Sequence, residues 1–471
     1  MPGLQRSAIA LTVLSLVGCG QYQITRSTPG VPQTAAGTAT VFKRLGNREA
    51  GMAMVSQGLV NPKISHVVII FQENRSTDNL FNGLPGANTT RNGLDSAGNQ
   101  VSLHAVRLTA RYDPDHSHFA FATEFHNGLL DGFNLEASSC KARGGECGAQ
   151  NRLAYGFVPR QEVAPYFAMA RQYAFADNMF QTNQGPSFPS HQYILSGTST
   201  ISAGSELRAS ERGIDPSQKS IAGCDAPRGT LAMTIDNNGQ EKTEVFPCFE
   251  RPVLTDLLDA KSLSWRYYVY ARKPNLWNGP DAIRHLRDSS EYNTNVVAPP
   301  SQVLTDIANG HLASVVWVTP TGKASDHAVV TDGSGPSWVA SVVNAIGESP
   351  YWNTTAIFVT WDDWGGWYDH VSPPQYNSYE LGFRVPLIVI SPYTKKGYVS
   401  HEQHEFGSIL KFVEDTFGLG SLGTTDVRSD NLADCFNFSQ KPRKFTPIKA
   451  PLPPSYFLRQ PISTRNPDDD F

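Results

Sequence analysis

The sequence has no basic excess and no long apolar run after its first twenty residues, and each absence excludes a class of protein. Thirty-nine lysines and arginines against 43 aspartates and glutamates give a formal net charge of −4. This balance argues against a surface that binds nucleic acid through overall charge. Beyond residue 19 no stretch is long enough for a transmembrane helix. The sequence has 40% apolar residues, 17% charged residues and 32 prolines. This composition is typical of a globular, loop-rich protein. Its 471 residues suffice for one large or two ordinary domains.

The N-terminus has the features of an export signal. Arg6 precedes the apolar residues 9–17, which are too few to span a bilayer. They lead into Leu16-Val17-Gly18-Cys19, which resembles a bacterial lipoprotein box and would make Cys19 the lipidated residue. The alternative is an ordinary signal peptide with a chance cysteine. Both interpretations predict export, to the periplasm, to a membrane anchor or out of the cell. Residues 20–60 have little periodicity and are interpreted as a tether and lead-in.

Five cysteines remain after Cys19. In an oxidising compartment the simplest pairing is local, Cys140 with Cys147 and Cys224 with Cys248. Both pairs would close irregular insertions, and Cys435 would remain unpaired. Residues 205–250, which hold the second pair, have few strand signals.

A short apolar run at residues 66–71 leads directly into polar residues. Its length and its Val and Ile content predict a strand buried on both faces, as in a parallel sheet. Ligands bind beyond the carboxyl ends of such strands, where Glu73 and Asn74 would offer a carboxylate and an amide oxygen. Hard divalent cations prefer such ligands. The alternative for these residues alone is the start of a solvated loop.

A second strand, residues 356–360, repeats this arrangement and ends in Asp362 and Asp363. Neighbouring carboxylates disfavour each other's ionisation unless a cation neutralises them. The pair therefore favours a metal site.

Ser187, which carries a hydroxyl group, directly follows a Gly-Pro corner at residues 185–186. The apolar spacing of residues 162–180 predicts a core helix, and a second helix is predicted at residues 191–197. Ser187 would then lie near a helix N-terminus, which favours an anion such as a phosphoryl group. The alternative is a helix-capping serine, a role that Ser190 fits better by spacing.

Two histidines lie in predicted loops. His116 belongs to an Asp- and His-rich hexapeptide, residues 113–118, which could bind a metal, supply a proton donor or be a surface loop. His327 follows the predicted strand 314–320. The aromatic strand 263–271 is interpreted mainly as core, with a cage for a quaternary ammonium group as the alternative. A strand at residues 385–391 and an amphipathic helix at residues 405–417 complete the pattern.

These motifs, HVVIIFQENRSTDNLF, GPS, SDH and WDDWGGWYDHVSPP in this order, make residues 64–418 similar to one family. The chain resembles the bacterial phosphoesterase family that contains the phospholipases C and related acid phosphatases, within the alkaline phosphatase superfamily. The resemblance implies an α/β fold with a mainly parallel central sheet, helices on both faces, an alkaline-phosphatase-like core and disulfide-bearing loop insertions. The catalytic domain would span residues 61–440, with a C-terminal tail at 441–471.

The resemblance also implies roles for particular residues. A divalent metal ion would be held by Glu73, Asn74, Asp362 and Asp363 and by the nucleophile, Ser187. The two histidines, His116 and His327, would stabilise the transferring group or protonate the leaving group.

The substrate is expected to be a phosphate ester or a phospholipid. Family phospholipases have Pro-Asn-Arg after the nucleophile, whereas this chain has Pro189-Ser190-His191, which favours an acid phosphatase over a phospholipase C. The same sequence lacks the arginine of a sulfatase site. An inactive cell-surface binding protein on the same fold is the alternative from another class.

Overall fold

The computed structural model describes residues 63–140 and 150–462. The predicted signal and tether, Cys19, Cys147 and the side chain of Cys140 lie outside the described residues. The tether at residues 20–60 and the pairing of Cys140 with Cys147 therefore stay predictions.

Most strands are short, and eight of them form one large sheet. In chain order the strands are β1 His66–Gln72, β2 Asn92–Leu94, β3 Gln100–Ser102, β4 His104–Ala105, β5 Tyr112–Pro114, β6 Ser138–Cys140, β7 Gly156–Phe157, β8 Ala174–Ala176, β9 Met179–Phe180, β10 Arg208–Ile214, β11 Leu231–Ile235, β12 Glu241–Val245, β13 Trp265–Tyr268, β14 Val296–Val297, β15 Val315–Val318, β16 Thr355–Trp361, β17 Leu387–Ile390, β18 Tyr398–Ser400 and β19 His404–Glu405.

The helices lie mainly between these strands. They are α1 Thr77–Leu80, α2 His118–Phe125, α3 Ala164–Gln172, α4 Ser187–Ser196, α5 Leu254–Ala260, α6 Arg284–Asp288, α7 Ser290–Asn295, α8 Gln302–Ala308, α9 Gly335–Gly347, α10 Phe406–Phe417 and α11 Pro454–Leu458. Short 3-10 helices lie at His126–Gly128, Gln150–Arg152, Gly279–Ala282, Pro350–Thr354, Thr425–Val427 and Ala433–Cys435.

The large sheet has the strand order β14-β13-β15-β1-β16-β17-β8-β18. Every neighbouring pair is parallel except the two that contain β17. The predicted α/β class with a mainly parallel sheet is therefore confirmed. Strand β1 lies near the centre between β15 and β16, and its apolar side chains are fully buried because helices cover both faces.

Aromatic contacts identify the helices on each face. On one face Phe71 meets Phe406 of α10 with ring centroids 5.2 Å apart, and the Trp317 indole N–H donates to Ile194 O of α4. On the other face Trp361 meets Tyr166 of α3 with centroids 5.0 Å apart. The prediction of helices on both faces is confirmed.

Three local predictions are wrong. The helix predicted at residues 162–180 ends at Gln172, and strands β8 and β9 occupy the rest, because the apolar residues after Tyr173 pair with β17, β18 and β19. The segment 205–250 forms a three-stranded antiparallel sheet, β10-β11-β12. The helix predicted from residue 191 begins at Ser187, and Pro186 is its N-cap, so Ser190 lies inside the helix instead of capping it.

The cysteines of the described part of the chain follow the prediction. Cys224 and Cys248 form a disulfide, which confirms the second local pair, and Cys435 is free and buried. Among the described helices, none combines the length and the apolar character needed to cross a membrane. The aromatic residues of β13 are buried in the core, with Tyr267 stacked on Trp317 at 5.8 Å.

Candidate functional site

The candidate site lies where β1 and β16 end side by side. The parallel register pairs Gln72 with Trp361, so the residues that follow both strands emerge together. The Asn74 backbone N–H donates to Asp362 Oδ1 at 2.9 Å, and the Asn74 side-chain amide lies 3.2 Å from Asp363 Oδ2. The two polar dipeptides that the sequence singled out are therefore joined in one cluster, and all four side chains are fully buried.

Ser187 points into this cluster from the first residue of α4. Its Oγ lies 3.4 Å from Glu73 Oε2, 3.3 Å from Asp363 Oδ2 and 3.5 Å from Asn74 Nδ2. Ser187 and Phe188 supply the N–H groups at this helix start, since Pro189 has no N–H and the Ser190 N–H donates to Pro186 O, and such a terminus favours an anion. The geometry thus combines a hydroxyl, an anion-favouring helix terminus and two carboxylates.

His191 is a member of the cluster that sequence reasoning did not assign to the site. Its Nε2 lies 2.9 Å from Glu73 Oε1 and 3.9 Å from Asp362 Oδ2, and these three groups are close enough to share an ion. Its ring stacks on Trp277 at 6.4 Å. The available signal was spacing, because His191 follows Ser187 by four residues and residues at i and i+4 share a helix face.

The two predicted histidines, His116 and His327, lie next to the cluster. His116 Nε2 is 3.0 Å from Asn74 Nδ2, and its Nδ1 is 3.0 Å from Pro114 O. His327 lies next to it, with ring centroids 5.8 Å apart. His327 Nδ1 donates to Ala328 O at 2.8 Å, and Asp113 Oδ2 lies 3.7 Å from the same atom. Both rings are nearly or fully buried, so the loops of residues 113–118 and 325–328 converge on the cluster.

Arg75 fixes the end of β1 to the loop that carries His327. Its guanidinium donates to Asp326 O and Leu108 O, each at 2.8 Å, and lies over the Trp367 ring. Burial lowers its pKa to about 10. Burial likewise raises the pKa of Asp326 to about 6, although its carboxylate accepts from Tyr166 and Trp361. These contacts position the loop, and none of them involves the Ser187 hydroxyl.

The turn after Asp363 requires glycine. Gly365 and Gly366 have φ values of +63° and +67°, which only glycine adopts readily. A Cβ on Gly365 would lie 2.3 Å from Asn74 O, and one on Gly366 would lie 2.5 Å from Asp115 O. The Asp-Asp-Trp-Gly-Gly stretch therefore brings β16 against the backbone of the β1 loop and of the His116 loop.

The donor set fits a hard divalent cation. Glu73, Asp362 and Asp363 place three carboxylates in a fully buried site, and such charges need a counterion. Two oxygens in the cluster, Asn74 Oδ1 and Asp362 Oδ2, are buried and have no hydrogen-bond partner among the described residues. Oxygen atoms of this kind are the ligands that Mg²⁺, Ca²⁺ and Mn²⁺ prefer, and His191 adds a nitrogen that suits Zn²⁺.

Comparison with known proteins identifies relatives over most of the chain. The family model described as "Phosphoesterase family" matches residues 64–420. Phospholipase C A of Mycobacterium tuberculosis is 22% identical, over 82% of this chain and 79% of its own length. The non-hemolytic phospholipase C of Burkholderia pseudomallei is 24% identical, over 80% of this chain and 59% of its own.

A plant protein and a solved structure are also similar to this chain. The non-specific phospholipase C6 of Arabidopsis thaliana is 24% identical over 82% of this chain and 75% of its own length. Among solved structures, a protein in the alkaline phosphatase superfamily from Vibrio parahaemolyticus covers 79% of this chain and 71% of its own. That structure has a TM-score of 0.37 and 9% identity.

Proposed function

Because this chain belongs to the phosphoesterase family and is a phosphoric ester hydrolase, we propose that it acts on phosphodiesters of the phospholipid type with Ser187 as its nucleophile. One observation carries the proposal: the Ser187 hydroxyl lies within 3.5 Å of Glu73, Asn74 and Asp363 at the N-terminus of α4. The relatives' names, phospholipases C, supply the substrate class.

The first proposed step is displacement at phosphorus by the serine oxygen. Glu73, Asn74, Asp362 and Asp363 would hold a divalent cation, which would neutralise the carboxylates and lower the pKa of the serine hydroxyl. The hydroxyl gives its proton to solvent, its oxygen forms a bond to phosphorus, and the bond between phosphorus and the oxygen of the leaving alcohol breaks. The N–H groups at the start of α4 donate to the phosphoryl oxygens.

The histidines complete the proposed reaction. His116 and His327 lie side by side, where they can stabilise phosphoryl oxygens and give a proton to the leaving alcohol. Water then attacks the phosphoserine, the serine oxygen leaves and takes up a proton, and the free enzyme returns. His191, which lies against Glu73 and Asp362, holds these two carboxylates in place.

A paired assay tests the function and the substrate class. Purified protein is given p-nitrophenyl phosphate, a monoester, and p-nitrophenyl phosphorylcholine, a diester, with the Ser187→Ala variant as the matched control. We expect preference for the diester and acid-stable phosphate on a peptide that contains Ser187. Turnover of the monoester alone would replace the phospholipase proposal with an acid phosphatase, the alternative that Pro189-Ser190-His191 favours. No turnover of either ester would support the binding-protein alternative.

Export is a separate proposal that rests on the sequence of residues 1–19. Signal cleavage before Cys19 and its lipidation would anchor the enzyme to a membrane. Mass spectrometry of the N-terminal peptide from the native host tests it. An unmodified N-terminus at another residue would leave export in place and remove the lipid anchor.

A further inference from the structure

A second cluster of metal-ligating groups lies at the far edge of the large sheet. It is formed by His404 at the start of β19 and by Asp434 and Cys435 in the 3-10 helix Ala433–Cys435. Their ligand atoms lie within 4.8 Å of one another. His404 and Cys435 are fully buried. Ser400 of edge strand β18 contacts both His404 and Asp434, and strands β17 and β8 separate β18 from β16, so this cluster shares no residue with the candidate active site.

Hydrogen bonds orient His404 towards the other two residues. Its Nδ1 lies 2.9 Å from Asp430 Oδ1, so the N–H at that position donates to a carboxylate. Its Nε2 then faces Ser400 Oγ at 2.9 Å and Asp434 Oδ1 at 3.9 Å. A histidine that donates one ring N–H to a carboxylate and presents its other nitrogen to further ligands has the arrangement of a metal-binding histidine.

The cluster also contains a buried carboxylate oxygen whose nearest neighbours are the other two members of the cluster. Asp434 Oδ1 is buried and has no hydrogen-bond partner among the described residues. The hydroxyl of Ser400 has one proton but two neighbouring acceptors, His404 Nε2 and Asp434 Oδ2. A cation between His404 Nε2 and Asp434 would satisfy both at once, because each could then bind metal instead of competing for one proton.

We propose that His404, Asp434 and Cys435 supply three ligands of a Zn²⁺ ion, with water from the partly exposed side of Asp434 as the fourth. An imidazole nitrogen, a carboxylate oxygen and a thiolate sulfur are the three zinc ligand types in proteins. A zinc–sulfur bond forms as the S–H bond breaks, and the thiol proton is released to solvent. Asp434 is partly exposed, which gives the ion a path to the site.

The position of this zinc site gives it a structural role. It joins β19 to the 3-10 helix Ala433–Cys435, which follows α10 in the chain. Strand β19 pairs with β9 in the register His404 with Met179 and Glu405 with Phe180. The chain leaves β9 for the loop that leads to Ser187, and the Phe406 N–H donates to Thr182 Oγ1 in that loop at 2.9 Å. Zinc at this edge would therefore brace the loop without contacting the substrate.

Cobalt substitution tests the proposal without relying on activity. Full-length protein with its Cys224–Cys248 disulfide intact is stripped of metal and titrated with Co²⁺, whose bond to a thiolate gives a near-ultraviolet charge-transfer band. The ligands of the candidate active site include no sulfur. We expect the band in wild type and in Asp362→Asn, and its loss in Cys435→Ser. No band in wild type, or a band of equal intensity in wild type and in Cys435→Ser, would overturn the proposal.

Zinc content gives an independent measurement. Wild type purified without chelator should carry about one more equivalent of zinc than Cys435→Ser and His404→Gln. Cys435→Ser should keep its esterase activity at room temperature, which shows that the variant is folded. Equal zinc content in wild type and in the active Cys435→Ser variant would contradict the assignment.

Discussion

At the scale of single residues, the site depends on groups brought together from distant parts of the chain. Asn74 adopts a positive φ of +56°, which turns its side chain towards Ser187 while its N–H reaches Asp362. The sequence was sufficient to nominate Glu73, Asn74, Asp362 and Asp363 from the predicted strand ends and Ser187 from the Gly-Pro corner before it, although the helix was predicted to begin four residues too late. It was not sufficient for His191, whose role depends on which face of α4 meets the sheet.

Replacing Ser187 by alanine tests the nucleophile. We expect turnover to fall by at least about 10³-fold, because the covalent route is lost. Metal content should stay near the wild-type value, because Glu73, Asn74, Asp362 and Asp363 remain. Steady-state kinetics and elemental analysis measure both quantities.

Ser190→Ala is the matched control for that change. Ser190 lies inside α4, and its hydroxyl donates to Asn183 Oδ1 at 2.9 Å. Loss of this hydrogen bond should cost about 1 kcal/mol of unfolding free energy with little effect on turnover. Near-normal turnover in Ser187→Ala would remove Ser187 from the mechanism.

Replacing His191 by alanine tests the residue that the structure added. Glu73 would lose a partner at 2.9 Å, so the carboxylate would be less well oriented for a cation. We expect metal affinity to fall by about 10- to 100-fold, as for other groups that orient a ligand. Calorimetric titration of the metal-free protein measures it. His191→Gln, which keeps a donor, should recover part of the affinity, and unchanged affinity in both variants would make His191 a packing residue.

At the scale of elements, the long central strands were predictable and the short strands β8 and β9 were not. The continuous apolar runs of β1, β15 and β16 identify central strands, whereas β8 and β9 lie in a segment whose spacing also fits a helix. The antiparallel direction of β17 is set by how its connections cross the sheet, which local pattern does not contain. The small sheet β10-β11-β12 has polar, partly exposed residues, and this composition hid its strands.

Helix α10 provides a prediction about pH. Burial, and then the charge of Asp426, raise the pKa of Glu414 to about 7, and its Oε2 is buried without a hydrogen-bond partner in the described structure. The folded state therefore holds this proton up to a higher pH than the unfolded state does. The stabilisation that the folded state gains by holding the Glu414 proton is complete below about pH 4.5 and is lost as the pH rises to about 7.

We therefore expect Glu414→Gln to raise the unfolding free energy above pH 7 by about 1–3 kcal/mol. Its amide oxygen can still accept from the Leu422 N–H. Urea unfolding at pH 5 and pH 8 measures the difference, which should be larger at pH 8. Exposed Glu402→Gln is the control and should change neither value by more than about 0.5 kcal/mol. A Glu414→Gln variant that is less stable at pH 8 would contradict the argument.

At the scale of the whole molecule, the site joins segments that are far apart in the chain. Glu73 follows β1 near the start of the described chain, while Asp362 and Asp363 follow β16, nearly 300 residues later. Their carboxylates repel one another in a buried site, so the folded protein without a cation carries an electrostatic cost that the unfolded chain lacks. A cation that binds only the folded state stabilises it by about 2.7 kcal/mol at a concentration 100 times its Kd.

Metal removal should therefore lower the thermal stability of the whole protein, and the chain offers variants that locate the effect. The measurement is made in Cys435→Ser, so that the proposed zinc site does not contribute. We expect the melting temperature to fall with chelator and to recover with a divalent ion. Adding Asp362→Asn should abolish this response, yet leave the metal-free protein at least as stable, because an amide relieves the repulsion and can still accept from the Asn74 N–H. If chelator leaves both the melting temperature and the activity of Cys435→Ser unchanged, the carboxylates are neutralised by protons instead, and the metal leaves the proposed mechanism.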